Sequence, residues 1–139
     1  MMPLLPKIGD VLPALAVEGF TQRQIAAYTE AANDRNPIHT DATAAHAIGL
    51  LDCPVQGMAI VARLENFICR WRSDAWLATT ATRFVSPLLA NQPMTVSGRV
   101  VAHSAADALA VMVRIFVQSD GGRRIVCVSD AQVRLTGEA

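Results

Sequence analysis

Apolar residues recur along this chain with two different periods, and the change between them falls near residue 75. Before it the spacing is helical. Thr21-Gln22-Arg23-Gln24 has the form of a capping box, and Ile25, Tyr28, Thr29 and Ala32 then fall on one face before Asn36-Pro37 ends the helix. A short helix is predicted over 42–48, capped by Asp41 and stopped by Gly49. The longest one, 57–71, carries Ile60, Leu64, Phe67, Ile68 and Trp71 at helical spacing. Met58, Ala59, Val61 and Ala62 make its other face largely apolar too, which predicts a helix wrapped by the rest of the chain rather than laid on a surface. Arg70 and Arg72 near its end suit the helix dipole.

Beyond residue 75 the pattern alternates. Residues 76–85, 94–103, 108–118 and 123–135 are rich in Val, Ile and Thr, and turn signals separate them at Ser86-Pro87, Asn91-Gln92-Pro93, Ala106-Asp107 and Asp120-Gly121-Gly122. Four successive strands with tight turns predict an antiparallel meander. One sheet with one buried helix is an α+β architecture. Residues 3–17, punctuated by proline and by the Gly9-Asp10 turn, read as extended backbone or a short edge strand.

Length and composition sharpen this picture. A chain of 139 residues suits one domain over 1–139, large enough for a real core. Its 52% hydrophobic content and mean hydropathy of +0.30 are high for a soluble monomer, so a homodimer is expected to cover part of the apolar surface. Zero formal net charge gives no electrostatic footprint for nucleic acid or an acidic membrane. Cys53, Cys69 and Cys127 are odd in number and show no close-paired spacing, so neither a disulfide framework nor a zinc knuckle is implied. The start lacks the apolar core of a signal peptide and no apolar run is long enough to span a bilayer, which predicts a reduced, cytoplasmic protein.

The chemistry concentrates in the nine residues 33–41. Asn36-Pro37 sits at their centre, and proline drives the residue before it out of the α region, so Asp34 and His39 flank a turn and can converge on one point. A carboxylate and an imidazole sharing a water can move protons in both directions near neutral pH. The bland alternative is an Asp closing a helix end and a His satisfied in a turn. A metal site from Asp34, His39 and Asp41 matches no ligand spacing.

Asp34, Asn36-Pro37, Ile38, His39 and Asp41 resemble the signature of the MaoC-like (R)-specific enoyl-CoA hydratases. Pro54-Val55-Gln56-Gly57-Met58 is similar to that family's turn into its central helix, and Arg83-Phe84-Val85-Ser86-Pro87 to a later strand motif. Two positions depart from it. Asn33 stands where the family usually has Gly, and Gln56 where it usually has His.

The resemblance implies a hot-dog fold, a curved antiparallel sheet wrapped around one long central helix, commonly as a dimer with its site near the subunit boundary. It implies a hydro-lyase acting on an acyl-CoA or acyl-carrier thioester, in which Asp34 and His39 hold the added water. No metal or redox cofactor is needed for that reaction. Asn36 would orient the water or substrate, or else only form the turn. Gly57 would offer its N–H at a helix start to the thioester oxygen, or else only permit a tight entry. Gln56 would act through its side chain or be a harmless neighbour. Arg83 and Arg99 would meet substrate phosphates or simply be solvated. A hot-dog thioesterase and a non-catalytic acyl-thioester-binding subunit are the rival readings, and Ser86 lies in no nucleophile elbow.

Overall fold

The computed structural model describes residues 4–137. In chain order these form β1 (Val11–Val17), α1 (Gln22–Ala32), a single 3₁₀ turn (Pro37–His39), α2 (Ala42–Ala47), α3 (Gly57–Trp71), β2 (Ala75–Phe84), β3 (Met94–His103), β4 (Ala110–Ser119) and β5 (Arg124–Leu135), with a second 3₁₀ turn before β5. Helix ends follow local side-chain chemistry. Thr21 Oγ1 accepts the Gln24 N–H at 3.1 Å while the Gln24 side chain accepts the Thr21 N–H at 2.9 Å, which satisfies two otherwise orphaned donors of α1. Asp41 Oδ1 accepts the Thr43 N–H at 2.9 Å to start α2, and Gly49 at φ 88° turns the chain out of it.

The strands form one antiparallel sheet in the order β1-β3-β4-β5-β2. This confirms the α+β class but corrects the meander, which holds only for β3, β4 and β5. The strand after the long helix does not pair with its sequence neighbour. β1 already occupies the free edge of β3, with Val11 opposite Arg99, so β2 takes the free edge of β5, with Phe84 opposite Cys127.

α3 lies across the concave side of this sheet. Its Ile60, Leu64, Phe67 and Ile68 are buried against a layer that includes Val96, Val113, Ile115 and Val133, each such side chain contributing about 1.5–3 kcal/mol when fully buried. The fit is closest at Gly98, where a Cβ would stand 3.2 Å from the Phe67 ring and 3.0 Å from the Arg114 carbonyl. An aromatic ring rests there on bare strand backbone. The opposite side of α3, through Met58, Ala62, Glu65, Asn66, Cys69 and Arg70, is exposed. The sheet wraps the flank of α3 that carries Ile60, Leu64, Phe67 and Ile68, and α1 meets the start of the helix through Gln56.

The return from α3 into β2 is fixed by charge. Arg72 Nε and Nη2 each reach an Asp74 carboxylate oxygen at 2.8 Å, and the Asp74 carbonyl accepts the Thr136 N–H beyond β5 at 2.8 Å. The hydrogen bond from Arg72, with its positive charge, holds the Asp74 carboxyl below its ordinary value against the opposing effect of burial. No helix among the described residues is long and apolar enough to cross a membrane.

Candidate active site

The chain leaves α1 through Asn33, which adopts the left-handed conformation at φ 53°. Glycine is the usual residue for such a position and asparagine is the side chain that tolerates it next best. The departure at Asn33 therefore leaves the local backbone intact. The Asp34 N–H closes on the Thr29 carbonyl at 3.2 Å, and Asp34 Oδ1 then accepts the Asn36 N–H at 3.2 Å. Asn36 in turn caps the 3₁₀ turn, its Oδ1 accepting the Ile38 N–H at 3.3 Å, with Pro37 supplying a first residue that has no N–H to satisfy. The outcome is a tight loop that swings His39 inward, and Gln22 Nε2 pins it to α1 by donating to the His39 carbonyl at 2.8 Å.

His39 is buried, with Nδ1 2.7 Å from the Pro54 carbonyl oxygen. A carbonyl only accepts, so Nδ1 carries the hydrogen and the neutral ring keeps its lone pair on Nε2. That lone pair faces Asp34 Oδ2 at 3.5 Å. Two acceptors confront each other across this gap, which is stable only with a hydrogen shared between them, on a protonated ring or on a water that donates to both. Asp34 forms the open side of the pair, its side chain 35% exposed against 11% for His39.

The same carbonyl ties the pair to the start of α3. Val55 N–H donates to Leu88 at 2.7 Å and Ala90 N–H to Cys53 at 2.9 Å, so one edge of segment 53–55 is taken by residues 88–90. The Pro54 carbonyl projects from the other edge, where His39 lies. Gln56, the residue preceding α3, gives it no side-chain cap. Its amide turns instead to α1, with Nε2 donating to the Ile25 carbonyl at 3.1 Å and to Thr29 Oγ1 at 2.9 Å, and its buried Oε1 has no partner among the described residues. The first turn of α3 thus presents the Gly57 N–H without a bond among the described residues. Gly57 is also closely covered, since a Cβ there would come within 2.8 Å of the tip of the Phe84 ring.

The structure brings Asp34 and His39 together and links them through Pro54 to Gly57. It puts the other expected residues elsewhere. The Asn36 side chain is engaged in the turn, and Gln56 faces α1. Arg83 stands apart from the pair. Strand alternation sends Phe84 towards Gly57, so Arg83 lies on the outer side of the sheet beside Phe116, Val128 and the Arg114–Asp130 ion pair. Arg99 is exposed on β3, and Ser86 Oγ donates to the Ile125 carbonyl. Asp41 is committed to capping α2. No group of three or more His, Cys, Asp or Glu side chains that could hold a metal ion occurs among the described residues. Sequence reasoning missed the Pro54 carbonyl, the Gln22 and Thr29 anchors and the Phe84 wall. Only the last left a signal, as the strand neighbour of Arg83 pointing the other way.

Comparison with family models matches residues 9–119 to the MaoC like domain. Comparison with curated proteins gives no match. Among solved structures the chain is similar to an (R)-hydratase from A. caviae involved in PHA biosynthesis, with a TM-score of 0.83, 19% identity, and coverage of 94% of this chain and 98% of that one. It is also similar to a chain of the ChsH1-ChsH2 complex from Mycobacterium tuberculosis, with a TM-score of 0.80, 21% identity and coverage of 95% and 100%. A chain of the C-terminally truncated HadBC (3R-hydroxyacyl-ACP dehydratase) complex from Mycobacterium tuberculosis matches with a TM-score of 0.69, 14% identity and coverage of 91% and 96%. These likenesses establish the hot-dog fold.

Proposed function

Since the chain belongs to the MaoC-like domain family, we propose that it is a hydro-lyase whose residues 1–139 act as one domain, reversibly adding water to a trans-2-enoyl thioester to give a (3R)-3-hydroxyacyl thioester. The observation that carries this reading is the 3.5 Å gap between Asp34 Oδ2 and His39 Nε2, with Nδ1 already engaged by Pro54. A water in that gap donates one hydrogen to each acceptor and turns its oxygen lone pairs outward, towards the β-carbon. As the new C–O bond forms, one proton passes to the pair and the C=C electrons move towards the thioester. Negative charge then collects on the carbonyl oxygen, where the Gly57 N–H at the start of α3 stabilises it. The α-carbon takes the proton back from the pair, which completes the addition with no net change in the protein. The R configuration and the thioester substrate, on CoA or on an acyl carrier, are supported by likeness to an (R)-hydratase and to a 3R-hydroxyacyl-ACP dehydratase.

The test follows two signals at once, the absorbance of the conjugated enoyl thioester and the appearance of free thiol. Hydration removes the first without producing the second. Release of thiol would instead establish a thioesterase, and neither signal would leave a non-catalytic binding subunit.

A further inference from the structure

Gln56 stands between the Pro54 carbonyl that holds His39 and the Gly57 N–H at the start of α3. Its side chain serves neither. The amide crosses to α1, where Nε2 donates to the Ile25 carbonyl at 3.1 Å and to Thr29 Oγ1 at 2.9 Å. The Thr29 carbonyl in turn accepts the N–H of Asn33 and, at 3.2 Å, that of Asp34. A line of hydrogen bonds therefore runs from the start of α3 through Gln56 and Thr29 to the backbone of Asp34. Gln22 secures the other side of the pair by its bond to the His39 carbonyl.

Stability alone is a poor account of this glutamine. The residue is 3% exposed and its Oε1 finds no partner among the described residues, so burying the amide leaves an acceptor unsatisfied. A methionine of similar length would fill the same place without that cost. With the amide gone, Thr29 Oγ1 is free to turn its hydrogen back to the Ile25 carbonyl one helical turn earlier.

We infer that Gln56 is a positioning residue, which fixes the end of α1 against the start of α3 and so sets where Asp34 stands relative to the Gly57 N–H. The inference rests on the hydratase reading above and adds a residue to that same site. His39 is held independently by Pro54, so Gln56 acts on the Asp34 half of the pair. Both halves of the site must fit one substrate at once. The β-carbon and the carbonyl oxygen of an enoyl thioester lie on a single planar, conjugated frame, which cannot bend to follow a displaced carboxylate. Misplacement by about 1 Å is enough to cost on the order of 10²-fold in rate.

The experiment compares wild type with Gln56→Met, Thr29→Val, the double variant and Thr29→Ser. It measures kcat and KM on a trans-2-enoyl-CoA, the thermal midpoint, and amide hydrogen exchange by NMR. In Gln56→Met kcat should fall about 10- to 100-fold with KM changed by less than about twofold, because the lost effect is on geometry in the transition state. The midpoint should stay close to wild type. Thr29→Val should be slower than wild type by a smaller factor, since the bond to Ile25 remains, and Thr29→Ser should recover the rate. The double variant should be no slower than Gln56→Met, as the line is already broken there. Exchange of the Asp34 amide should quicken about tenfold in Gln56→Met while that of the central strands is unchanged. An unchanged kcat overturns the inference, whether KM rises, which would make Gln56 a substrate contact, or only the midpoint falls, which would make it packing. Amide exchange keeps this apart from failure of the hydratase reading. If wild type hydrates nothing, that reading falls, while faster Asp34 exchange in Gln56→Met still supports the positioning. Unchanged Asp34 exchange overturns it whatever the wild type catalyses.

Discussion

At the scale of single residues the decisive pair is Asp34 and His39. Asp34→Asn and His39→Gln each keep much of the local shape while removing a group that can exchange a proton, so turnover should fall by roughly 10²–10⁴ in each. If both act on one water, the double variant should be little slower than either single one. If instead Asp34 only closes a helix end, the rate per folded molecule stays put and about 1 kcal/mol of stability is lost. Thermal midpoints and hydration rates on the same three proteins decide between these. The cysteines give a separate expectation. Burial pushes the Cys127 thiol up to about 11 and also raises Cys53, whereas Cys69 is exposed, so an aromatic disulfide reagent at mildly alkaline pH should titrate one thiol quickly and all three only in denaturant. Two fast thiols in the native protein would contradict this burial. The closeness of Asp34 and His39 could be read from sequence because they lie five positions apart across a proline, where local geometry is nearly forced. The Pro54 carbonyl that sets the histidine tautomer could not, since every residue carries a carbonyl and no letter marks the one that matters.

The elements were legible in proportion to how local their determinants are. α3 and β3 have the boundaries that periodicity predicts, and α1 and α2 begin at the expected caps, because a cap is decided within four residues, whereas α1 already ends at Asn33, before the Asn36-Pro37 expected to stop it. Strand partners are decided by which edge is free, information spread over the whole chain, and there the sequence pattern misled. Two connections carry testable weight. Gly19 joins β1 to α1 with its Cα so close to the Asn91 backbone that a Cβ would lie 2.2 Å from the carbonyl carbon, and the Asn91 N–H donates to the Phe20 carbonyl at 2.7 Å. Backbone cannot swing aside as a side chain can, so Gly19→Ala should cost about 1–3 kcal/mol in a chemical denaturation, and a neutral result would show that the junction is looser than drawn. The α3–β2 junction should show in acid. The folded-state value of Asp74 is depressed by Arg72, so its contribution is present above the ordinary carboxylate value, about 4, and disappears as pH falls through the lowered folded value. Asp74→Asn should lower the thermal midpoint at neutral pH and narrow its gap to wild type below about pH 4. A gap that does not change with pH would mean that the ion pair contributes nothing to the fold.

For the whole molecule, the far edge of the sheet, formed by β2, is the place where a second copy can add. Among the described residues β2 is bonded on one side only, to β5, and its other edge runs for ten residues with no proline and with Arg83 as its one charge. Monomeric proteins usually guard such an edge with charge, proline or a covering segment, and an unguarded one is a template for another strand. Trp76, 44% exposed, stands near one end of this strand and Arg83 and Phe84 at the other. A two-fold pairing of β2 with β2 of a second copy, centred on the strand, would bring Trp76 of each copy to Arg83 of the other, where a cation meets an aromatic face. Such a pairing would bury apolar surface of the kind the hydropathy of this chain leaves over. We expect sedimentation at micromolar concentration to give about twice the 14.9 kDa of one chain. Trp76→Ala removes the aromatic face from both ends of the new seam without touching the core, so it should shift the mass towards one chain while a melt still shows a cooperative transition. Wild type sedimenting as a single chain would remove the dimer. A Trp76→Ala variant that stays dimeric and fully stable would keep the dimer but move its interface away from β2.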